Sequence, residues 1–552
     1  MRRIAGGRVW WASVLLLVAA PACVTGQEAA GDAPSLEPPP VTASGPGTAS
    51  DLEARVRELE GMVRQMAAMS AAREAEMSER IRQLEGQLAA PSTPAEGGGA
   101  GNAGSSASGF RTGGSATSPF GGKEVGRGTI GMATTAKTSS DMPAAVAHFP
   151  AKTKFGPGFQ IASEDDEYVF QFHNLTQVDG RFYEQGGQMD PHDFFGLPRQ
   201  WYIFSGRLSK PFEYYVAINQ GFDNLNLLDA YLNVHFIDPV QFKVGRYKTP
   251  FTYEFYALPV NGLITPERSQ FFNNFGLNRN VGLMGWGQLL EKRIDWAAGV
   301  FNGGRNGFLD FDNSKDLAAF LNFNPFLNGG VDALEHLNVG GSVDVGNQNE
   351  PAIPNRLRLN VPTQGNPTVG VPFAIFEPNV YESGTRALWS AHMTWYYRQL
   401  SLIAEWQSGY QYFAFGDTPF KRTKVGTQGY YVQAGYFLTG EEVTARGQLK
   451  PFKDFDLRPG RFGIGAWELA GRYEYLNIAP SIFTGGFVDP KLWTNVVTTI
   501  DVGVNWYWNQ YVKTYIGWQY NAFGNPVLFA TDPVNRFQLT SDMFWIRFQI
   551  YF

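Results

Sequence analysis

The chain has 552 residues, a formal net charge of −6 at pH 7 and an aromatic fraction of 15%, with 14 Trp, 24 Tyr and 43 Phe. That balance excludes a strongly basic nucleic-acid binder, and no block of like charge points to one. The single cysteine, Cys23, excludes an intrachain disulfide, so packing and hydrogen bonds must supply the stability.

Residues 1–26 read as an export signal. Arg2, Arg3 and Arg8 precede an apolar run from Val9 to Ala20, followed by the small-residue triplet Ala20-Pro21-Ala22. The run is too short to cross a bilayer as a helix, so cleavage is expected rather than anchoring. Cys23 is a candidate for lipidation after cleavage; against this, Ala20 stands where a lipoprotein signal usually has Leu, and Pro21 is unusual there.

Residues 51–90 change character. Leu52, Val56, Leu59, Val63 and Met66 follow the alternating spacing of a heptad seam, and Met77, Ile81, Leu84 and Leu88 resume it after a stutter. From Asp51 to Leu88 a helical rod would extend about 57 Å. Between low-complexity flanks, an isolated amphipathic helix can bury its seam only by self-association, so a periplasmic coiled coil is expected. Residues 91–158 form a Gly, Ser, Pro and Ala-rich linker with too few large apolar residues for a core.

From Phe159 to Phe552 alternating runs recur between Gly, Asn, Asp and Pro clusters. The expected class is an all-β transmembrane barrel, and about 394 residues cut into strands of 9–11 with unequal loops allow about 16 antiparallel strands. Ile500–Trp508 and Val512–Tyr520 make a hairpin around the tight turn Asn509-Gln510, and Asn347–Asn366 is a candidate outer loop. The last strand alternates strictly: Phe544, Ile546, Phe548, Ile550 and Phe552 on one face, Trp545, Arg547, Gln549 and Tyr551 on the other. Greasy toward lipid and polar toward a lumen is the pattern of an outer-membrane barrel strand, although a strand of a soluble sandwich alternates in the same way.

Several segments resemble the phosphate-selective porin O and P family. Gly245–Glu254 looks like its G-R-x-x-x-x-F-x-x-E segment, Tyr430–Glu441 its G-Y-Y-x-Q-x-x-Y-x-L-T-G-E strand, and Gly465–Leu469 with Arg472 and Tyr473 its G-A-W-E-L-x-x-R-Y strand. The matches run in order through nearly the whole β region. The resemblance implies a trimeric, 16-stranded outer-membrane porin that passes anions, with lumen arginines and lysines near the pore mouths. By that likeness Lys152 and Lys154 are the pore-mouth lysines, and Arg199 and Arg246 are lumen cations. Two family arginines are missing, replaced by Leu175 and Gln200, and Arg356 and Arg358 stand near where an arginine cluster would be.

Alternation gives an independent reading of the lumen. With the apolar face outward, Asp179, Arg181, Arg199, Arg207, Asp229, Lys243, Glu405, Glu468, Arg472, Glu474, Asp501, Lys513 and Arg547 point inward, seven basic and six acidic groups. The pore-lining candidates are Arg181, Arg199, Arg207, Lys243, Arg246, Lys248, Glu468, Arg472, Lys513 and Arg547. Strict alternation from Phe242 and Val244 would turn Arg246 toward lipid, so its strand must end or bulge there. A selective anion pore needs a field of one sign in a narrow channel, and near-balance does not provide it. Cross-strand pairing is the expected role for most of these charges.

The six histidines are scattered, with no metal-ligand spacing and no nucleophile motif, so neither a cofactor, a metal nor an enzymatic activity is expected. The expectation is an outer-membrane porin for small hydrophilic solutes or ions, a homotrimer in outer-membrane lipid with its N-terminal region in the periplasm. The alternative is a structural tether that reaches peptidoglycan through the coiled coil.

Overall fold

The computed structural model describes residues 151–552 apart from residues 157, 185–191, 223, 308–311, 360–368 and 531–533. The export signal, the heptad segment and most of the linker lie outside the described residues.

Two short strands, β1 (Ala151–Phe155) and β2 (Phe159–Ser163), form a hairpin, so strand structure starts within the segment read as linker. Then follow β3 (Val169–Tyr183), β4 (Phe194–Ser209), β5 (Phe212–Gly221), β6 (Asn224–Ile237), β7 (Val240–Lys248), β8 (Arg279–Leu289), β9 (Ile294–Phe301), β10 (Asp316–Phe323) and β11 (His336–Pro351). A small pair, β12 (Arg356–Arg358) and β13 (Pro372–Ile375), precedes β14 (Val380–Tyr397), β15 (Leu400–Phe415), β16 (Thr418–Phe437), β17 (Ala466–Ile478), β18 (Val496–Tyr507), β19 (Val512–Ala530) and β20 (Arg536–Tyr551).

Neighbours in sequence pair antiparallel from β3 round to β20, with β12 and β13 set aside as a separate pair. The circuit closes where Met543–Tyr551 of β20 pairs with Tyr183–Leu175 of β3, giving a closed barrel of sixteen strands. Closure satisfies every edge, the condition under which a sheet can sit in hydrocarbon. The β1–β2 hairpin pairs with the start of β3, below that seam.

The side-chain period of two decides the facing. In β20, Met543, Trp545, Arg547 and Gln549 are buried while Phe544 is exposed. In β7, Phe242 and Val244 are exposed, as are Val343 and Val345 of β11 and Ile516 and Trp518 of β19. A contiguous apolar exterior of this kind has no solvent-side explanation and fits lipid.

One rim carries mostly short connections, including Lys210–Pro211, Asp238–Pro239 and Arg398–Gln399; the other carries most of the long ones. Two expected details change. The β18–β19 turn spans Trp508–Tyr511 rather than two residues, because the Asn509 side-chain oxygen accepts from the amides of Tyr511 (2.8 Å) and Val512 (3.0 Å) and sets a wider turn. Asn347–Pro351, read as outer loop, belongs to β11, whose buried Gln348 donates to Asp316 (2.8 Å) inside the wall.

Candidate functional site: the lumen and its crossing loop

The β7–β8 connection, residues 249–278, folds into the barrel. Its base is pinned where Thr249 donates to the Asn278 carbonyl through both its amide (3.0 Å) and its hydroxyl (2.9 Å). Pro250, Pro259 and Pro266 keep it from extending as strand. It contains a π-helical turn (Tyr253–Ala257) and one short helix, α1 (Gln270–Phe275), capped by Ser269, whose hydroxyl accepts from the Phe272 amide. Phe251, Phe255, Phe271, Phe272 and Phe275 are all fully buried, each contributing about 2 kcal/mol of transfer free energy.

This loop touches the wall on several sides. The amide of Thr252 donates to Ser342 on β11 (2.9 Å), and that of Tyr253 to Glu405 on β15 (2.8 Å). The amide of Gln270 donates to Glu474 on β17, and Ser269 donates to Gln407 on β15 (3.0 Å). Asn505 on β18 reaches the Ile264 carbonyl (2.9 Å) and Lys513 on β19 reaches that of Leu263 (2.8 Å). Arg446, from the long connection at the opposite rim, binds the Gly262 carbonyl (3.0 Å) and Glu468.

The centre of this docking is Glu267. Its carboxylate takes Arg199 of β4 at 2.5 Å and Arg547 of β20 at 2.6 Å, while Arg472 of β17 donates to its backbone carbonyl at 2.8 Å. Burial alone would raise the Glu267 carboxyl; the guanidinium groups of Arg199 and Arg547 hold it down to about 2. Arg547 also pairs with Asp179 directly across the closing seam, and Arg472 pairs with Asp501 directly across β17–β18 (3.0 Å). Cross-strand pairing therefore accounts for these two, as the alternation argument expected.

The pore-lining candidates separate into groups. Arg181, Arg199, Glu468, Arg472, Lys513 and Arg547 are buried, engaged with Asp179, with the loop or with one another. Arg181 lies over the Trp545 ring, 4.1 Å from its centroid. Arg246 is also buried; it donates to Asn306 (2.8 Å to the side-chain oxygen) and to the Leu227 carbonyl (3.2 Å), and β7 pairs with β8 through Lys248 without the expected end or bulge, because these carbonyl partners absorb the guanidinium. Lys243 and Lys248 face an open chamber, and Arg207 lines its extension toward the short-turn rim. Lys152 and Lys154 stand exposed on β1, Lys152 donating to the Glu164 carbonyl and 3.9 Å from Asp166. Arg358 is buried, donating to the Gly370 carbonyl at 2.8 Å, whereas Arg356 is exposed.

The chamber holds about 450 Å³ between the loop residues Tyr256–Asn261 and the inner faces of β4 to β10. Trp201, Tyr215, Tyr231, Tyr247, Trp286 and Phe320 supply most of its walls. A second space of about 320 Å³ shares Tyr215, Tyr231, Lys243 and Trp286 with it and reaches Val169, Arg207 and Glu213. Sequence reasoning missed the crossing loop, Glu267 and Arg446. The three prolines and the run Gln270-Phe271-Phe272-Asn273-Asn274-Phe275, which lacks period-2 alternation, were the available signal.

The family model described as phosphate-selective porin O and P matches residues 174–552. The chain belongs to that family. It is a porin of the outer membrane, a passive and non-enzymatic channel. Porin O of Pseudomonas aeruginosa is 24% identical over 383 residues, which cover 64% of this chain and 83% of that protein. Among solved structures, an anion-selective porin from Comamonas acidovorans matches at 10% identity and a TM-score of 0.43, covering 70% of this chain and 100% of the other. OmpT of Vibrio cholerae matches at 10% identity and a TM-score of 0.41, with the same coverage.

Proposed function

We propose that this porin is a general diffusion pore for small hydrophilic solutes, with weak ion preference and no tight phosphate site. The observation that carries this is the fate of the wall arginines. Arg199, Arg472 and Arg547 are already engaged by Glu267, Asp179 and Asp501, so they add little free positive field for a passing anion. At the two positions where the family has further arginines, Leu175 is buried and Gln200 accepts from Thr176 (2.7 Å). The conduction route in this reading passes between the crossing loop and β4–β10, by Arg207, Lys243 and Lys248, with Lys152 and Lys154 at the periplasmic mouth. The test is the reversal potential across a salt gradient, with phosphate titrated against chloride conductance. A near-zero potential and undisturbed chloride current are expected; strong anion selectivity with block by dilute phosphate would restore the specialised family role.

The assembly in this reading is a homotrimer whose N-terminal rod, residues 51–90, forms a parallel coiled coil in the periplasm after removal of the signal at residues 1–26. The mixed Leu, Val and Met seam supports self-association without specifying a dimer. A peptide of residues 51–88 should associate and become helical at high concentration, and one that stays monomeric and unfolded would overturn the rod. Co-sedimentation of the full chain with isolated peptidoglycan tests the tether separately.

A further inference from the structure

Lys243 occupies an unusual setting for a cation. Its ammonium lies 4.6 Å from the Tyr231 ring centroid, 4.6 Å from that of Trp286 and 5.5 Å from that of Tyr247. Among the described residues it has no hydrogen-bond or ion-pair partner. The neighbouring acids are engaged elsewhere: Asp229 by Arg279 (3.0 Å), Asp295 by Gln288 (2.8 Å) and Asn322 (3.0 Å), Glu213 by Asn233 (3.0 Å) and His235 (3.1 Å). Lys248, on the same chamber, donates to the Phe255 carbonyl (2.9 Å) and lies 5.2 Å from the Phe255 ring centroid. Two ammonium groups thus share one aromatic space with no carboxylate hydrogen-bonded to either. Three rings offset part of the desolvation of Lys243, but its three donors stay unused, and an anion would satisfy them.

We propose that the chamber binds a small aromatic carboxylate, its charge on Lys243 and its ring against the wall formed by Tyr215 and Tyr231. Those two rings stack on each other, 5.3 Å apart at 11°, and both line the chamber. The volume of about 450 Å³ falls in the range of small-molecule sites. Inorganic phosphate or acetate has no ring to bury there. A sugar ring carries no negative charge to pair with the Lys243 ammonium. The proposal rests on the porin reading, because the ligand enters through the lumen past Arg207.

The test uses the purified full chain, with benzoate, acetate, phosphate and glucose as probes. Calorimetry in detergent measures binding, and planar-bilayer recording measures chloride current with each probe present. Benzoate is expected to bind and to interrupt chloride current, while acetate, phosphate and glucose at equal concentration do neither. Lys243→Gln should weaken benzoate binding by roughly tenfold, the loss of one charge-assisted hydrogen bond, and Lys243→Arg should recover most of it. Heat-modifiable migration confirms folding; if Lys243→Gln does not fold, Lys243→Met carries the same comparison. Equal binding of benzoate and acetate, no benzoate binding, or unchanged affinity in Lys243→Gln would overturn the chamber. Chloride conductance without benzoate binding overturns the chamber alone; benzoate binding without conductance overturns the porin reading instead.

Discussion

The inner wall has two unlike halves. From β14 to β20, charged side chains are abundant and enclosed: Arg472, Glu474, Asp501, Glu468 and Arg547 are all buried against the crossing loop or against one another. From β4 to β10, rings line the wall between charged groups such as Asp229, Lys243, Lys248 and Arg279, and that wall borders open space. A charge count along the sequence treats both halves alike. What differs is whether a loop covers the charge, and that decides whether an arginine acts on a solute or holds the structure.

The contrast makes the enclosed half sensitive in stability and the open half sensitive in transport. The largest effect is expected for Glu267→Ala, which leaves Arg199 and Arg547 buried without the carboxylate they share. A destabilisation of about 3 kcal/mol follows, read as a lower temperature for loss of the heat-modifiable form, together with noisier conductance as the loop loosens. Glu468→Ala, which removes the partner of Arg446, should behave similarly. A variant of either kind with unchanged thermal behaviour would break the comparison.

An acid titration comes next. The Glu267 carboxyl is held below its ordinary value of 4.5, at about 2, so its stabilising contribution is present above 4.5 and is lost as pH falls through 2. Single-channel conductance should be steady from neutral pH to about 5 and become unsteady only on further acidification toward that value. A transition near neutrality would assign control to another group.

In the open half, Trp286→Leu removes one ring beside Lys243 and should change stability by less than about 1 kcal/mol while altering solute flux in liposome swelling. The smallest effect is expected for Arg199→Ala on ion preference. Because Glu267 already neutralises Arg199, the reversal potential should move only slightly toward cations and neutral-sugar flux should stay almost unchanged. A large shift would place Arg199 on the conduction route.

The barrel was legible in the sequence because period-2 alternation is local: the facing of Phe544, Trp545 and Arg547 follows from ten residues. Pairs such as Arg472–Asp501 were within reach, since they oppose each other across neighbouring strands. The crossing loop was not. Its apolar residues, Phe255 and Phe271 among them, bury themselves inside a lumen that alternation alone marks as polar. Its principal contact, Glu267 to Arg547, joins positions 280 residues apart, a distance over which no local pattern carries information. Arg246 is an intermediate case, where its conflict with alternation was visible but the carbonyl partners that absorb the guanidinium without a bulge were not.

The seam between β3 and β20 also sets the order of events in assembly. Arg547 meets Asp179 across 368 residues, so residues 175–183 of β3 exist early in synthesis and the strand that pairs with them is made last. Until then β3 presents an open row of amides and carbonyls beside an apolar face, the arrangement most prone to pairing with the wrong strand. Closing so long a circuit is intrinsically slow. The precursor must therefore be kept apart from its neighbours until its final strand arrives, and the step that completes the wall is a single zipping of residues 543–551 onto residues 175–183.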